Sequence, residues 1–207
     1  MPSTAPRFRL PLIAILRGIT PAEVEAHGGA LVEAGFDAIE VPLNSPGAHD
    51  SIARLQQALG THATIGAGTV LHEQDVDALA ARDVHFIVTP NTRPALIRHA
   101  VAAGMQVVAG FATPSEAFDA LQAGAQALKL FPAGTYGPAH ARALRAVLPD
   151  VPLYAVGGIS TDALPAWLAA GCTGAGLGGE LYKAGQPAEL TRVRARAFRQ
   201  AYEGAVA

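Results

Sequence analysis

Eight short apolar runs, each too continuous for a strand with one wet face, alternate with amphipathic stretches of helical period along the 207-residue chain. They lie near Leu12 to Leu16, Ala38 to Leu43, Ala63 to Gly68, Val84 to Thr89, Gln106 to Gly110, Ala125 to Phe131, Val151 to Val156 and Thr173 to Leu177. Such runs read as strands of a parallel sheet, buried on both faces.

The segments between them carry helix punctuation. Thr20-Pro21, Ser45-Pro46, Thr113-Pro114 and Gly137-Pro138 place proline where a first helical turn tolerates it. Ala34-Gly35, Ala103-Gly104, Ala123-Gly124 and Ala170-Gly171 place glycine where a helix ends in the left-handed conformation. Eight strand-helix units average about 26 residues each, compact for a (β/α)8 TIM barrel, which usually takes roughly 200 to 250 residues. An open doubly wound sheet would leave fewer repeats and a glycine-rich turn after the first strand, where Leu16-Arg17-Gly18-Ile19 stands instead. The expectation is an α/β fold, a single (β/α)8 barrel domain over residues 1-207. Its last helix is expected to bury Leu190, Val193, Ala197 and Ala201 and to turn Arg192, Arg194, Arg196 and Arg199 to solvent.

With 50% hydrophobic residues and 15% charged ones, the chain can fill the core such a barrel needs. A formal net charge of -2 without a basic cluster argues against nucleic acid and for small-molecule partners. The single cysteine, Cys172, rules out an internal disulfide framework, fits a reducing compartment and reads as a small, partly buried residue at a strand start. The apolar stretch from Leu10 to Leu16 is too short to span a membrane and lacks a signal-peptide cleavage pattern, so the expected location is cytoplasmic.

Only two of the 15 basic residues are lysine, and one of them, Lys129, sits inside the apolar run Ala127-Leu128-Lys129-Leu130-Phe131. Arginine cannot replace an amine in one role: losing its proton and becoming a nucleophile. A strand lysine can also lay its stem on apolar neighbours and keep its ammonium in water. Alternation links Lys129 to Glu40. If Leu128 and Leu130 face the helices, Lys129 points into the barrel, and if Ile39 and Val41 face the helices, so does Glu40. A buried carboxylate and a buried amine can be a structural ion pair, although such pairs are costly to desolvate. Alternatively, burial frees the amine to attack a ketone carbonyl as a Schiff-base nucleophile while the carboxylate moves protons.

The other strand ends supply walls for one site, since barrel chemistry sits at the C-terminal face. Arg17 follows the first strand, Asn44 the second and Thr69 the third, and Thr89-Pro90-Asn91 ends the fourth. Val156-Gly157-Gly158-Ile159, leading into a helix at Ser160-Thr161, and Gly176-Leu177-Gly178-Gly179 offer backbone N-H groups and positive helix ends for an anion. A lone glycine pair is usually just a turn; two at adjacent strand ends are more persuasive. The seven histidines show no ligand spacing and read as surface residues, so neither a metal site nor a cofactor is expected.

The stretches LPLIAILRGITP, GFDAIEVPLNSP, IGAGTVL, FIVTPN, QALKLFPAG, AVGGIS and GAGLGGELY, in this order, resemble the class I 2-keto-3-deoxy-6-phosphogluconate and 2-keto-3-deoxy-6-phosphogalactonate aldolases over nearly the whole chain. The resemblance implies a (β/α)8 barrel, assembled as a homotrimer, that cleaves a phosphorylated 2-keto sugar acid into pyruvate and glyceraldehyde 3-phosphate. By matching motifs, Lys129 would form the Schiff base and Glu40 would be the general acid/base. Arg17, Thr69 and Pro90 would line the substrate region, Phe131 would pack beside the reacting carbons, and Gly157, Gly158, Gly178 and Gly179 would cradle the phosphate.

Two departures from the gluconate-type pattern look like the galactonate branch. Glu40-Val41-Pro42-Leu43-Asn44 stands where that pattern has Glu-Val-Thr-Leu-Arg, and Val156-Gly157-Gly158 stands where it has Thr-Gly-Gly. Val156 cannot donate a hydrogen bond to a substrate hydroxyl, which weakens discrimination at that carbon. Gly179 stands where relatives often have serine, leaving a backbone N-H without a hydroxyl. Alternatives are a gluconate or dual-specificity aldolase, another phosphate-binding barrel such as a thiamine-phosphate synthase or sugar-phosphate epimerase, and a noncatalytic phosphosugar-binding protein.

Overall fold

The structure, a computed structural model, describes residues 8-207. Eight parallel strands, β1 (Leu12–Ile15), β2 (Ala38–Pro42), β3 (Thr64–Gly68), β4 (Phe86–Val88), β5 (Gln106–Phe111), β6 (Ala127–Leu130), β7 (Leu153–Val156) and β8 (Gly174–Leu177), pair in sequence order, and β8 closes on β1. Nine helices among the described residues surround them: α1 (Val24–Glu33), α2 (Ala48–Leu59), α3 (Glu73–Ala80), α4 (Pro94–Ala102), α5 (Pro114–Gln122), α6 (Ala133–Tyr136), α7 (Pro138–Arg145), α8 (Leu164–Ala169) and α9 (Ala188–Val206). Each predicted strand is present within a few residues of its expected bounds. None of these helices is long and apolar enough to cross a membrane.

Alternation along the strands sorts side chains into two cores. Ile39, Val41, Leu128 and Leu130 belong to the large shell between strands and helices. Ile13, Ile15, Ala38, Phe86, Val88, Val108, Ala127, Tyr154 and Val156 fill the barrel interior, with Phe8 packed against them. Bulky interior residues fit because glycines face them. A Cβ on Gly66 would meet the Phe86 ring at 2.4 Å, and one on Gly176 would meet Val156 at 2.8 Å.

Helix ends follow their predicted chemistry more closely than helix starts. Gly35, Gly104, Gly124 and Gly171 all have positive φ, between 82° and 100°. Thr113 caps α5 with Pro114 in its first turn, and Glu116 returns the bond as a capping box. Pro138 also opens its helix, although the four-residue α6 precedes it. By contrast, Pro21 and Pro46 lie in turns, and α1 and α2 begin only at Val24 and Ala48. The stripe expected on α9 is corrected as well. Its buried face is Thr191, Ala195 and Phe198, whereas Leu190 and Val193 are 38% and 54% exposed and Ala197 also faces out. Alanines mark two overlapping stripes on this helix, and the Phe198 ring, with most apolar surface to bury, selects the one shifted by a residue.

Gly174 tests the closure between β8 and β1. A Cβ there would stand 1.7 Å from the Pro11 carbonyl oxygen, a backbone atom that cannot swing aside. Gly174→Ala should lower unfolding free energy by about 2 to 3 kcal/mol in urea titrations, the upper range for forced overpacking; an unchanged midpoint would contradict this closure.

Candidate active site

β2 and β6 lie on different sides of the interior, and each aims one ionisable group inward. Glu40 is 1% and Lys129 4% exposed. Lys129 pairs in register with Gly110 of β5 and Tyr154 of β7, and Glu40 with Ile15 of β1 and Gly66 of β3. The glycine on β3 that clears room for the carboxylate is Gly68, where a Cβ would lie 1.7 Å from Glu40 Oε2. Beside the lysine, Gly110 admits the backbone of Pro90, which a Cβ would meet at 2.4 Å. Thr89 fixes that approach: its hydroxyl donates to the Asn91 carbonyl at 2.8 Å and accepts the Gly110 N-H at 3.0 Å. Thr89 is one of the strand-end residues marked in the sequence, whereas Gly68 and Gly110 are not, although Gly66 and Gly68 share the inward parity of their strand.

Electrostatics follow from this burial. Loss of solvent pushes the Glu40 carboxyl up from 4.5 to about 7, against the pull of the Lys129 and Arg17 charges. The same loss of solvent draws the Lys129 amine below its ordinary value; Glu40 opposes that shift and Arg17 adds to it. Glu40 Oε2 is buried without a hydrogen-bond partner. The Lys129 ammonium stands 4.8 Å from the centre of the Phe131 ring rather than in a close ion pair. The unpartnered oxygen departs from the fully satisfied geometry that a stabilising buried bridge needs. An amine that loses its proton readily beside a carboxyl that titrates near neutrality can add to a carbonyl and exchange protons with the adduct.

At the C-terminal ends of the strands, Arg17 takes part in two groupings, one over β1 to β3 and one over β1 and β6 to β8. Arg17 donates to Asn44 Oδ1 at 2.8 Å and to Thr69 Oγ1 at 3.3 Å, which joins the ends of β1, β2 and β3. Thr69 holds a φ of 55°, strained for a β-branched residue, and this contact is part of what holds it there. A cavity of about 170 Å³ lies over the ends of β1, β6, β7 and β8. Of the sequence-predicted residues, Arg17, Phe131, Val156, Gly157, Gly158, Gly178 and Gly179 line it. Ile15, Ile159, Gly176 and Glu180 complete it; Ile159 and Gly176 belong to the two glycine loops already marked in the sequence, whereas Ile15 and Glu180 carry no such mark. Gly157 and Gly158 adopt φ of 100° and 75°, while a Cβ on Gly178 or Gly179 would meet nothing, so this backbone is open to a ligand. One expectation fails: α8 starts at Leu164 and α9 at Ala188, so backbone N-H groups, not helix ends, border the glycine loops.

Larger cavities lie elsewhere, including one of about 600 Å³ around Arg9, Asp37 and His62 at the opposite end of the barrel, remote from the Lys129 and Glu40 side chains. Of the seven histidines expected at the surface, His62, His72 and His85 are exposed, His49, His99 and His140 are half-buried, and His27 is buried, with Nδ1 2.8 Å from Thr191 Oγ1. It shares a face of α1 with Val24 and Leu31, and that face packs on α9. Among the described residues no three His, Cys, Asp or Glu side chains gather as a metal site.

The sequence profile of KDPG and KHG aldolase matches residues 8–195. The chain belongs to this aldolase family. It is 56% identical over 199 residues to the 2-dehydro-3-deoxy-6-phosphogalactonate aldolase of Escherichia coli (strain K12), covering 96% of this chain and 97% of that one. To the 2-dehydro-3-deoxy-phosphogluconate aldolase of Pseudomonas aeruginosa PAO1 it is 34% identical, over 77% of this chain and 71% of that one. A solved structure described as native KDPGal superposes with a TM-score of 0.96 at 54% identity, covering 98% of this chain and 99% of that one. Like these family members, the chain is an aldolase, a carbon-carbon lyase.

Glu40 gives the aldolase site a pH signature in stability. Its folded-state value of about 7 exceeds the ordinary 4.5, so the folded protein holds this proton more tightly than the unfolded chain does. That stabilisation is complete below about 4.5 and is lost as pH rises through about 7. Glu40→Gln should therefore gain on the parent by roughly 1 kcal/mol per pH unit across that window and stay level below it. Denaturant unfolding at a series of pH values measures the difference; parallel stability curves would contradict the burial of this carboxyl.

Proposed function

We propose that this chain is a 2-dehydro-3-deoxy-6-phosphogalactonate aldolase whose Lys129 forms a Schiff base with the ketone of its substrate. The observation that carries the reading is the inward pair: a desolvated amine and a carboxyl of raised pKa inside one barrel, with an open glycine cradle beyond them. The amine adds to the 2-keto carbon and water leaves. The protonated imine at C2 then draws the electrons of the C3–C4 bond as it breaks, leaving an enamine, and Glu40 accepts the C4 hydroxyl proton as the aldehyde forms. Glyceraldehyde 3-phosphate departs, the enamine takes a proton at carbon, and hydrolysis frees pyruvate and the amine. In this reading Arg17, with Asn44 and Thr69, holds the carboxylate end, Pro90 and Phe131 wall the reacting carbons, and the four glycines hold the phosphate. The same reading takes the chain as one catalytic domain working as a cytoplasmic homotrimer, with no cofactor.

The galactonate assignment is supported by the 56% identity to the phosphogalactonate aldolase of Escherichia coli. Val156 is compatible with it, because an apolar side chain at the cavity wall gives no hydrogen bond that would select the gluconate epimer. The test compares cleavage of the two epimeric 6-phosphates by the parent and by Val156→Thr. The parent should favour the galactonate substrate, and the variant should shift the ratio of kcat/KM toward gluconate by roughly tenfold. Borohydride added with pyruvate should attach carbon to Lys129, and Lys129→Arg should lose turnover. A parent that cleaves only the gluconate epimer would overturn the substrate assignment, and an unmodified Lys129 would overturn the imine.

A further inference from the structure

The loop after β1 carries Arg17 and the loop after β8 carries Gly178 and Gly179, so they border the same cavity from neighbouring strand ends. One carboxylate oxygen ties them together. Glu23 Oε1 accepts the Tyr182 hydroxyl at 2.8 Å and the Thr20 N-H at 3.4 Å. Tyr182 is 2% exposed, and its N-H and that of Leu181 both turn back onto the Gly178 carbonyl, at 2.9 and 2.8 Å. The ring stands edge-on to buried His27, with centroids 4.9 Å apart. Behind it, Gln186 Nε2 donates to the Leu181 carbonyl at 3.0 Å and to Thr191 Oγ1 at 2.7 Å. The loops also touch directly, since a Cβ on Gly18 would lie 3.4 Å from that of Ala184. Burial, then the Glu23 acceptor, push the Tyr182 phenol up, so it remains a donor at neutral pH.

We infer that the Tyr182 hydroxyl and the Glu23 carboxylate act as a strap that fixes the span between Arg17 and the Gly178-Gly179 cradle, making both positioning residues for substrate length. This rests on the proposed function, in which one end of the substrate is a carboxylate and the other a phosphate. Neither side chain lines the cavity. A flexible cradle would have to be ordered anew at each binding event, and that cost falls only on substrates that use it. The strap therefore supports recognition of the phosphorylated substrate and leaves the chemistry at Lys129 untouched.

The experiment measures kcat and KM for the 2-keto-3-deoxy sugar acid with and without its 6-phosphate, together with borohydride trapping of pyruvate. Tyr182→Phe should raise KM for the phosphorylated substrate roughly tenfold, the size of one lost hydrogen bond to a charged group. Its kcat, its activity on the unphosphorylated acid and its pyruvate trapping should follow the parent. Glu23→Gln, which keeps an acceptor oxygen, should stay near the parent, while Glu23→Ala should match Tyr182→Phe and the double variant should be no worse than either. Retention of the full phosphate preference in Tyr182→Phe would overturn the strap while the cradle stands. Loss of pyruvate trapping in that variant would overturn it by showing a general role in the barrel. A parent without phosphate preference would overturn the cradle and the strap together, leaving the imine chemistry intact.

Discussion

Removal of water from one amine is the constraint on which the rest of this structure depends. A lysine on an ordinary strand stays charged, because its ammonium reaches solvent more easily than it sheds a proton. Closing the sheet into an eight-stranded barrel denies Lys129 that route. Glu40 enters the same interior from β2 and pays the matching desolvation penalty. Each group offsets part of the other's cost, so protonation of the two is linked and neither is locked in its charged form. The same burial that weakens the fold near neutral pH makes the pair reactive.

Space for these two groups comes from residues that have no side chain. Gly68 stands where any Cβ would collide with the Glu40 carboxylate, and Gly110 lets the Pro90 backbone lie against the strand beside Lys129. The rigid part of the site is thus built from strand register, interior glycines and the Thr89 bridge. The adaptable part lies in the loops, where the Arg17 contacts join three strand ends and the glycine backbone of the last two units stays open. Conserving rigidity at the reacting carbon while leaving the far end to loops suits a family whose members differ in the sugar they cleave.

Much of this was legible in the sequence because period and parity are local properties. The apolar runs locate all eight strands, and the alternation around Glu40 and Lys129 alone places both side chains inside. The Ala-Gly pairs marked helix ends correctly because the left-handed conformation is a requirement on one residue. What the sequence hid depends on contacts between distant segments. The α9 stripe was misread because alanine fits either face and only the Phe198 pocket decides between them. His27 looked like a surface residue until α9 supplied Thr191 as its partner. The Tyr182 and Glu23 contact joins residues 159 positions apart and leaves no local pattern.

The depressed basicity of Lys129 is open to direct measurement because the chain has only two lysines, Lys129 and the exposed Lys183. Lysine labelled with 13C at Cε gives two signals in an NMR titration, and Lys183→Arg assigns them. One signal, that of Lys129, should titrate clearly below the ordinary 10.5 and should move further when Glu40→Gln removes the opposing carboxylate. A Lys129 signal that titrates at 10.5 and ignores the Glu40 substitution would contradict the account.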